Sequence, residues 1–279
     1  MSGGHHPGAG GQLLQVLDLV SLRPTGPDRF VTLPVQGNSE RLGGSEVLVA
    51  ALLAAAATAP ADLAPAGAQA SFLRSGRSSL PVDVAVAHLQ DSRSSAVRAV
   101  TASQSGTPVM TASFRFFRSR AAADWQPEMT PDLAPAEGDE AMAVVSTLPT
   151  LRSFEVRAAV QPADGRPVIH PYWIKSRVPL ADDPLLHASV LLYLTDLGTS
   201  GSARAPGTRL RDRMGPVSLD HTFWWHRPAR ADQWLYVSAH SLTESGGRAL
   251  ARGEVVAADG TLAASFAQEV VVPPPRPTA

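Results

Sequence analysis

The sequence predicts an α+β chain of two tandem units, each a curved antiparallel sheet wrapped around one long apolar helix. Three observations predict it. A stretch opening FLRSGRSSLPVDVAVAH and closing TPVMTASF, over 72–114, returns as FWWHRPARADQWLYVSAH closing GTLAASF, over 223–266. Arg74 aligns with Arg227, His88 with His240, Gly106 with Gly260, and Ala112-Ser113-Phe114 with Ala264-Ser265-Phe266. The alignment needs small gaps, which is the mark of a diverged duplication and not of a short-period solenoid. Each copy also follows one apolar stretch of helical length, and each is a run of β-rich segments of period two between turn residues.

In the first copy a strand region near Arg29 to Val35 precedes a Gly43-Gly44-Ser45 turn that opens a helix. The apolar stretch Val47 to Ala59 ends at Pro60 and is shorter than the ~20 residues a membrane helix needs. Built of Ala, Val and Leu on every side, it suits a helix enclosed by protein. Strands follow at Pro81 to Ala87, Ala96 to Ser103 and Val109 to Phe117, separated by Asp-Ser-Arg and Ser-Gly-Thr-Pro turns. In the second copy Phe154 to Val160 and Tyr172 to Arg177 precede a helix with Asp183 as N-cap, Pro184 at its first position and Gly198 at its end. The division is a lead-in over 1–11, an N-terminal unit over 12–120, a Pro-, Ala- and acid-rich linker over 121–150, a C-terminal unit over 151–273 and a tail over 274–279.

Composition narrows the function classes. With 279 residues at 44% hydrophobic the chain suffices for one large or two ordinary domains with real cores, and two fit the repeat. Its net charge of -1, from 24 basic and 25 acidic residues without basic runs, suits neither nucleic acid nor an anionic membrane surface. No cysteine is present, so a disulfide framework, a thiolate nucleophile and Cys-ligated zinc are excluded. The Gly-rich start MSGGHHPGAGG lacks the pattern of a signal peptide, and a cytoplasmic enzyme is expected. The eight histidines show no zinc-type spacing, and no metal site is expected. A Gly-x-Ser-x-Gly elbow is missing. Asp220-His221 near Ser218 does not make a serine triad, because adjacent strand residues point to opposite faces.

The copies differ where chemistry is expected, since a polar residue present in one copy only is not required by the shared architecture. Gln268 aligns with Phe116. Asp196 lies near the C-terminal end of the second helix, where an acid opposes the helix dipole, whereas the first helix has no acid between Glu46 and Asp62. Taken singly, each has a plain structural reading: a helix-end acid for Asp196, a turn hydroxyl satisfying local backbone for Ser218, and a solvent-facing strand residue for Gln268. Phe223-Trp224-Trp225 reads as core or interface, and Arg74 with Arg227, present in both copies, as a structural pair.

Arg41-Leu42-Gly43-Gly44, Phe72-Leu73-Arg74, Thr111-Ala112-Ser113-Phe114, Trp173-Ile174, Thr195-Asp196-Leu197, Ser218-Leu219-Asp220-His221, Trp225-His226-Arg227-Pro228 and Gln268-Glu269 occur in this order. From about Leu13 to Val272 the chain thereby resembles the acyl-CoA thioesterase II family of double hotdog proteins. The resemblance implies hydrolysis of fatty acyl-CoA to free fatty acid and coenzyme A. The C-terminal unit would carry the catalytic residues, with an aspartate, a hydroxyl residue and a glutamine holding the hydrolytic water. Here these are Asp196, Ser218 and Gln268. The sequence departs from relatives at Ser218, usually threonine, and at Ser45, commonly glutamine. It further implies a homo-oligomer of these paired units, an acyl-CoA substrate and no cofactor, coenzyme A being part of the substrate.

The chemistry is consistent with such a site. A thioester is activated toward attack, and a leaving thiolate with a pKa of about 8.5 needs no strong general acid. A positioned carboxylate helped by a hydroxyl and an amide therefore suffices. Backbone N–H groups of Gly43 and Gly44 are the expected oxyanion donors. A non-catalytic acyl-CoA or acyl-carrier binding protein and an acyl-CoA hydratase or dehydratase are the alternatives. For the latter, the Asp-x-Asn-x-x-His pattern of such enzymes is absent.

Overall fold

The computed structural model describes residues 22–32, 40–129, 153–158, 170–203 and 217–272. The first unit runs β1 (Leu22–Gly26), β2 (Arg29–Thr32), α1 (Gly44–Ala57), β3 (Ala64–Phe72), β4 (Val82–Asp91), β5 (Ser95–Gln104) and β6 (Thr107–Phe117). The second runs β7 (Phe154–Ala158), β8 (Tyr172–Ser176), α2 (Pro184–Asp196), a short α3 (Thr199–Ser202), β9 (Val217–Ser218), β10 (Asp220–Trp225), β11 (Leu235–Ser245), β12 (Arg248–Ala257) and β13 (Leu262–Val271). Among the described residues all thirteen strands join one sheet in the order β1-β2-β4-β5-β6-β3-β10-β13-β12-β11-β8-β7, with β9 added to β13. Read inward from either edge, the order is the same plan twice. The halves meet where β3 and β10 pair antiparallel, Gln69 opposite Thr222.

Side-chain alternation explains where the helices lie. Val82, Val84 and Val86 on β4, Ala112, Phe114 and Phe116 on β6, and Ala264 and Phe266 on β13 are buried at every second position. They form the sheet face that receives the helices. In α1 every residue from Val47 to Ala55 is buried, and α2 is buried at most positions from Leu186 to Thr195. A helix apolar all round fits here because the sheet and the other helix together surround it. Each buried Val, Leu or Phe contributes roughly 1.5–3 kcal/mol over its exposed state.

The start of α2 is as expected: the Asp183 side chain accepts the Leu185 N–H at 2.9 Å, and Pro184 occupies the first turn. Gly106 and Gly260 sit in corresponding hairpins with φ of 77° and 86°, a conformation that favours glycine in both. The repeat register, however, differs from the one the residue identities suggest. With Phe114 and Phe266 as counterparts, the ladders place Ala68 beside Phe114 and Phe223 beside Phe266. Phe223 thus corresponds to Ala68, not to Phe72. Likewise His88 corresponds to Ala239, since His88 pairs with Arg98 and Ala239 with Gly253, and these partners lie beside Phe114 and Phe266.

Unequal hairpins cause the slip. His88 and Arg98 are ten residues apart where Ala239 and Gly253 are fourteen; Arg98 and Phe114 are sixteen apart where Gly253 and Phe266 are thirteen. The changes nearly cancel, leaving a one-residue error that puts a residue on the wrong face. β3 itself is not foreseen: its sequence APAGAQASF is poor in the β-branched residues that signal a strand. Of the expected linker, 121–129 are described and 130–150 lie outside the described residues. The described part lies along the second unit, where the Gln126 amide donates to Gly260 O (2.8 Å) and accepts from Leu262 N (3.0 Å). Arg227 holds Asp124 there and donates to Leu262 O, as Arg74 donates to Pro108 O.

Candidate active site

Asp196 ends α2, the negative end of its own helix dipole, yet its side chain reaches the positive end of the other helix. Its Oδ2 accepts the backbone N–H of Ser45 in the first turn of α1 at 2.9 Å. The N-cap residue of α1, Gly43, has no side chain to do this, so an acid 151 residues away serves as the cap. The approach is close. A Cβ on Gly44 would lie 3.3 Å from Asp196 Oδ2 and 3.2 Å from the Phe72 ring, so glycine makes room for the carboxylate.

The other oxygen of Asp196 faces β13. Gln268 Nε2 donates to Asp196 Oδ1 at 3.0 Å and to Ser218 Oγ at 2.5 Å. Ser218 is placed by β9, which pairs with β13 at Val270, and the bend into β10 is held by Leu219 N donating to Glu269 O and Glu269 N donating to Asp220 Oδ1, both 2.8 Å. Asp196, Ser218 and Gln268 are therefore brought together. Gln268 is fully buried, contrary to the solvent-facing reading of a lone strand glutamine. It occupies the inward parity of β13 that Phe116 occupies on β6.

Asp220 and His221 point to opposite faces as expected, but His221 points inward to the site. This residue was missed by the sequence reading. It is fully buried, with Nδ1 3.2 Å from Gln268 Oε1 and Nε2 3.1 Å from Thr195 Oγ1, and its ring lies near-parallel to those of Phe223 and Phe266. Burial lowers its pKa, outweighing the opposite pull of Asp196, Gln268 and Asp220. The available signal was its position two residues before the core Phe223 on the same strand.

A cavity of about 430 Å³ opens on this group. Gly43, Gly44, Asp196 and Ser218 line it; Val47 and Met110 form its buried apolar wall, and the exposed Arg41 and Arg74 its rim. Its walls thus come from both units. Gln268 lies behind Asp196 and Ser218 and does not line the cavity. Among the described residues the Gly44 N–H has no hydrogen-bond partner, and Gly44 lines the cavity. Phe223 is core, Trp225 Nε1 donates to Ala188 O at 3.1 Å, and Trp224 is exposed on the opposite sheet face. Among the described residues no helix is long and apolar enough to cross a membrane, and no three His, Asp or Glu side chains cluster as metal ligands.

Residues 44–117 match the family "Acyl-CoA thioesterase N-terminal domain" and 127–272 match "Acyl-CoA thioesterase C-terminal domain". The chain is 27% identical over 281 residues to human acyl-coenzyme A thioesterase 8, covering 92% of this chain and 88% of that one. It is 28% identical to acyl-CoA thioesterase 2 of Haemophilus influenzae, over 88% of this chain and 94% of that one. Among solved structures, an acyl-CoA thioesterase II from Mycobacterium marinum superposes with a TM-score of 0.77 at 26% identity, covering 95% of this chain and 99% of the other. With the repeated plan, the joined sheet and both domain matches in agreement, the chain belongs to the acyl-CoA thioesterase II family of double hotdog proteins.

Proposed function

We propose that the protein hydrolyses acyl-CoA to a free carboxylic acid and coenzyme A by direct attack of water held at Asp196. The observation that carries the reading is the carboxylate itself: one oxygen is fixed by the Ser45 N–H, the other by the Gln268 amide, beside the Ser218 hydroxyl and facing a cavity. Such a carboxylate is oriented before substrate arrives, so little reorganisation is needed at the moment of reaction.

In this mechanism the water oxygen forms a bond to the thioester carbonyl carbon while one water proton passes to Asp196. The Ser218 hydroxyl, accepting from Gln268 Nε2, keeps its own proton available to the water or the substrate. Negative charge on the former carbonyl oxygen is received by the Gly44 N–H at the start of α1, where the helix dipole adds to the hydrogen bond. Collapse re-forms the carbonyl, breaks the C–S bond and expels the thiolate, which recovers the proton from Asp196. No covalent enzyme intermediate arises, and no metal or cofactor takes part.

Free thiol released from a panel of acyl-CoA substrates of increasing chain length, by wild type and Asp196→Asn side by side, tests the reading. Release by wild type that collapses in the variant is the expected outcome. Binding of acyl-CoA by folded wild type without thiol release from any substrate would instead make this a binding protein.

A further inference from the structure

We infer that His221 is a positioning residue for hydrolysis, holding the Gln268 amide in the one orientation that lets it serve Asp196 and Ser218. The inference rests on the catalytic reading above, and follows from counting protons around a buried group. The Gln268 nitrogen must face Asp196, because a carboxylate only accepts and an amide oxygen turned toward it would set acceptor against acceptor. The Gln268 oxygen is therefore directed at His221 Nδ1, 3.2 Å away, and that nitrogen must carry a hydrogen.

The remaining nitrogen, Nε2, faces Thr195 Oγ1 at 3.1 Å. Thr195 has one hydroxyl proton and two acceptors within reach, His221 Nε2 and Leu192 O at 3.0 Å. A neutral imidazole with its proton on Nδ1 uses this hydroxyl as the donor for Nε2, so both ring nitrogens and the glutamine oxygen are satisfied without placing a cation in a fully buried site. Phe223 and Phe266, cross-strand partners at the next inward level of the sheet, flank the ring on that side near-parallel to it, with centroids 6.5 and 6.0 Å from its own. Thr195 precedes Asp196 on α2, so the support of the glutamine and the acid it serves start from adjacent residues of one helix. The first unit has Ala68 at the position of Phe223 and Phe116 at that of Gln268, and neither side chain can take part in such a chain of hydrogen bonds.

Replacement tests this directly. His221→Phe keeps an aromatic ring but supplies no N–H, whereas His221→Asn returns an amide N–H near the position of Nδ1. The expected result is a roughly hundredfold fall in kcat for His221→Phe with KM nearly unchanged, and recovery to within roughly tenfold of wild type in His221→Asn. A folded His221→Phe variant with wild-type kcat overturns the inference. Asp196→Asn measured in parallel separates the two failures: full activity there sinks the catalytic reading, whereas its collapse beside an active His221→Phe sinks only the role of His221. A readout independent of turnover, and of whether His221→Phe folds, is the tautomer in histidine-labelled protein by ¹⁵N NMR. Wild type should carry the proton on Nδ1, and Gln268→Ala should move it to Nε2, with Thr195 then donating to Leu192 O. A wild-type proton on Nε2, or a tautomer indifferent to Gln268→Ala, overturns the inference as well.

Discussion

The two units bury the same strand positions against their helices, and at one of these positions Phe116 stands in the first unit and Gln268 in the second. Their helix starts differ in the same sense. The N-terminus of α2 is capped by its own Asp183, two residues from the amide it holds, whereas that of α1 has Gly43 in the cap position and borrows Asp196 from the other unit. A duplicated fold offers two symmetry-related junctions between helix start and sheet. Here one junction carries apolar and local groups, and the other carries polar groups and opens on a cavity. The lesson is that function in a duplicated chain is found where the symmetry fails, since the shared plan is already explained by packing.

The largest effect is expected at the borrowed cap. Asp196→Asn keeps the shape but removes the proposed base, and kcat should fall roughly 10³-fold while circular dichroism is unchanged. Exchanging the contrasted residue in the other direction, Phe116→Gln, buries an amide without partners in place of an aromatic ring. It should cost about 3 kcal/mol in chemical denaturation and confer no second activity. Next, Gly44→Ala forces Asp196 and Phe72 to give way by a few tenths of an ångström. The expected loss is about tenfold in kcat, and a fully active variant would show that the close approach does not matter.

Asp183→Ala should lower stability by about 1 kcal/mol and leave kcat unchanged, because that cap serves only the local Leu185 amide and lies outside the group around Asp196. The smallest effect appears as pH drops just below neutral. Among the described residues, the buried histidines lie in the second unit, and burial holds His170 down to about 3 and lowers His221 as well. The unfolded chain takes up a proton at His170 near pH 6.5 while the folded chain keeps it neutral, and the lowered pKa of His221 acts in the same direction, so stability is lost as pH falls below that value. Between pH 6.5 and 6 the denaturation midpoint should reflect a loss of about 0.4 kcal/mol from His170.

Much of this was legible in the sequence because the signals are local or repeated. Asp183-Pro184 marks a helix start on its own, period two marks the meander, and the asymmetry of Asp196 and Gln268 stands out once the copies are laid together. What was not legible depends on tertiary partners. β3 has weak strand chemistry and is a strand because β6 and β10 flank it. The helix-dipole conflict at Asp196 is real within α2 and resolved only by α1, a partner that spacing along the chain does not reveal. His221 was set aside with Asp220 as part of a triad that strand geometry forbids, although the same alternation places it inward against Gln268. Unequal hairpins whose differences nearly cancel concealed the true register from residue identities.

The bond from Ser45 to Asp196 and the seam between β3 and β10 also bear on how the chain reaches its working form. Contacts across 151 residues close late, since the loop entropy must be met before they add stability, whereas hairpins such as β5–β6 and β12–β13 are local and form early. Turnover on refolding should therefore lag behind the recovery of secondary structure, and the appearance of thiol release becomes a clock for the docking of the two halves.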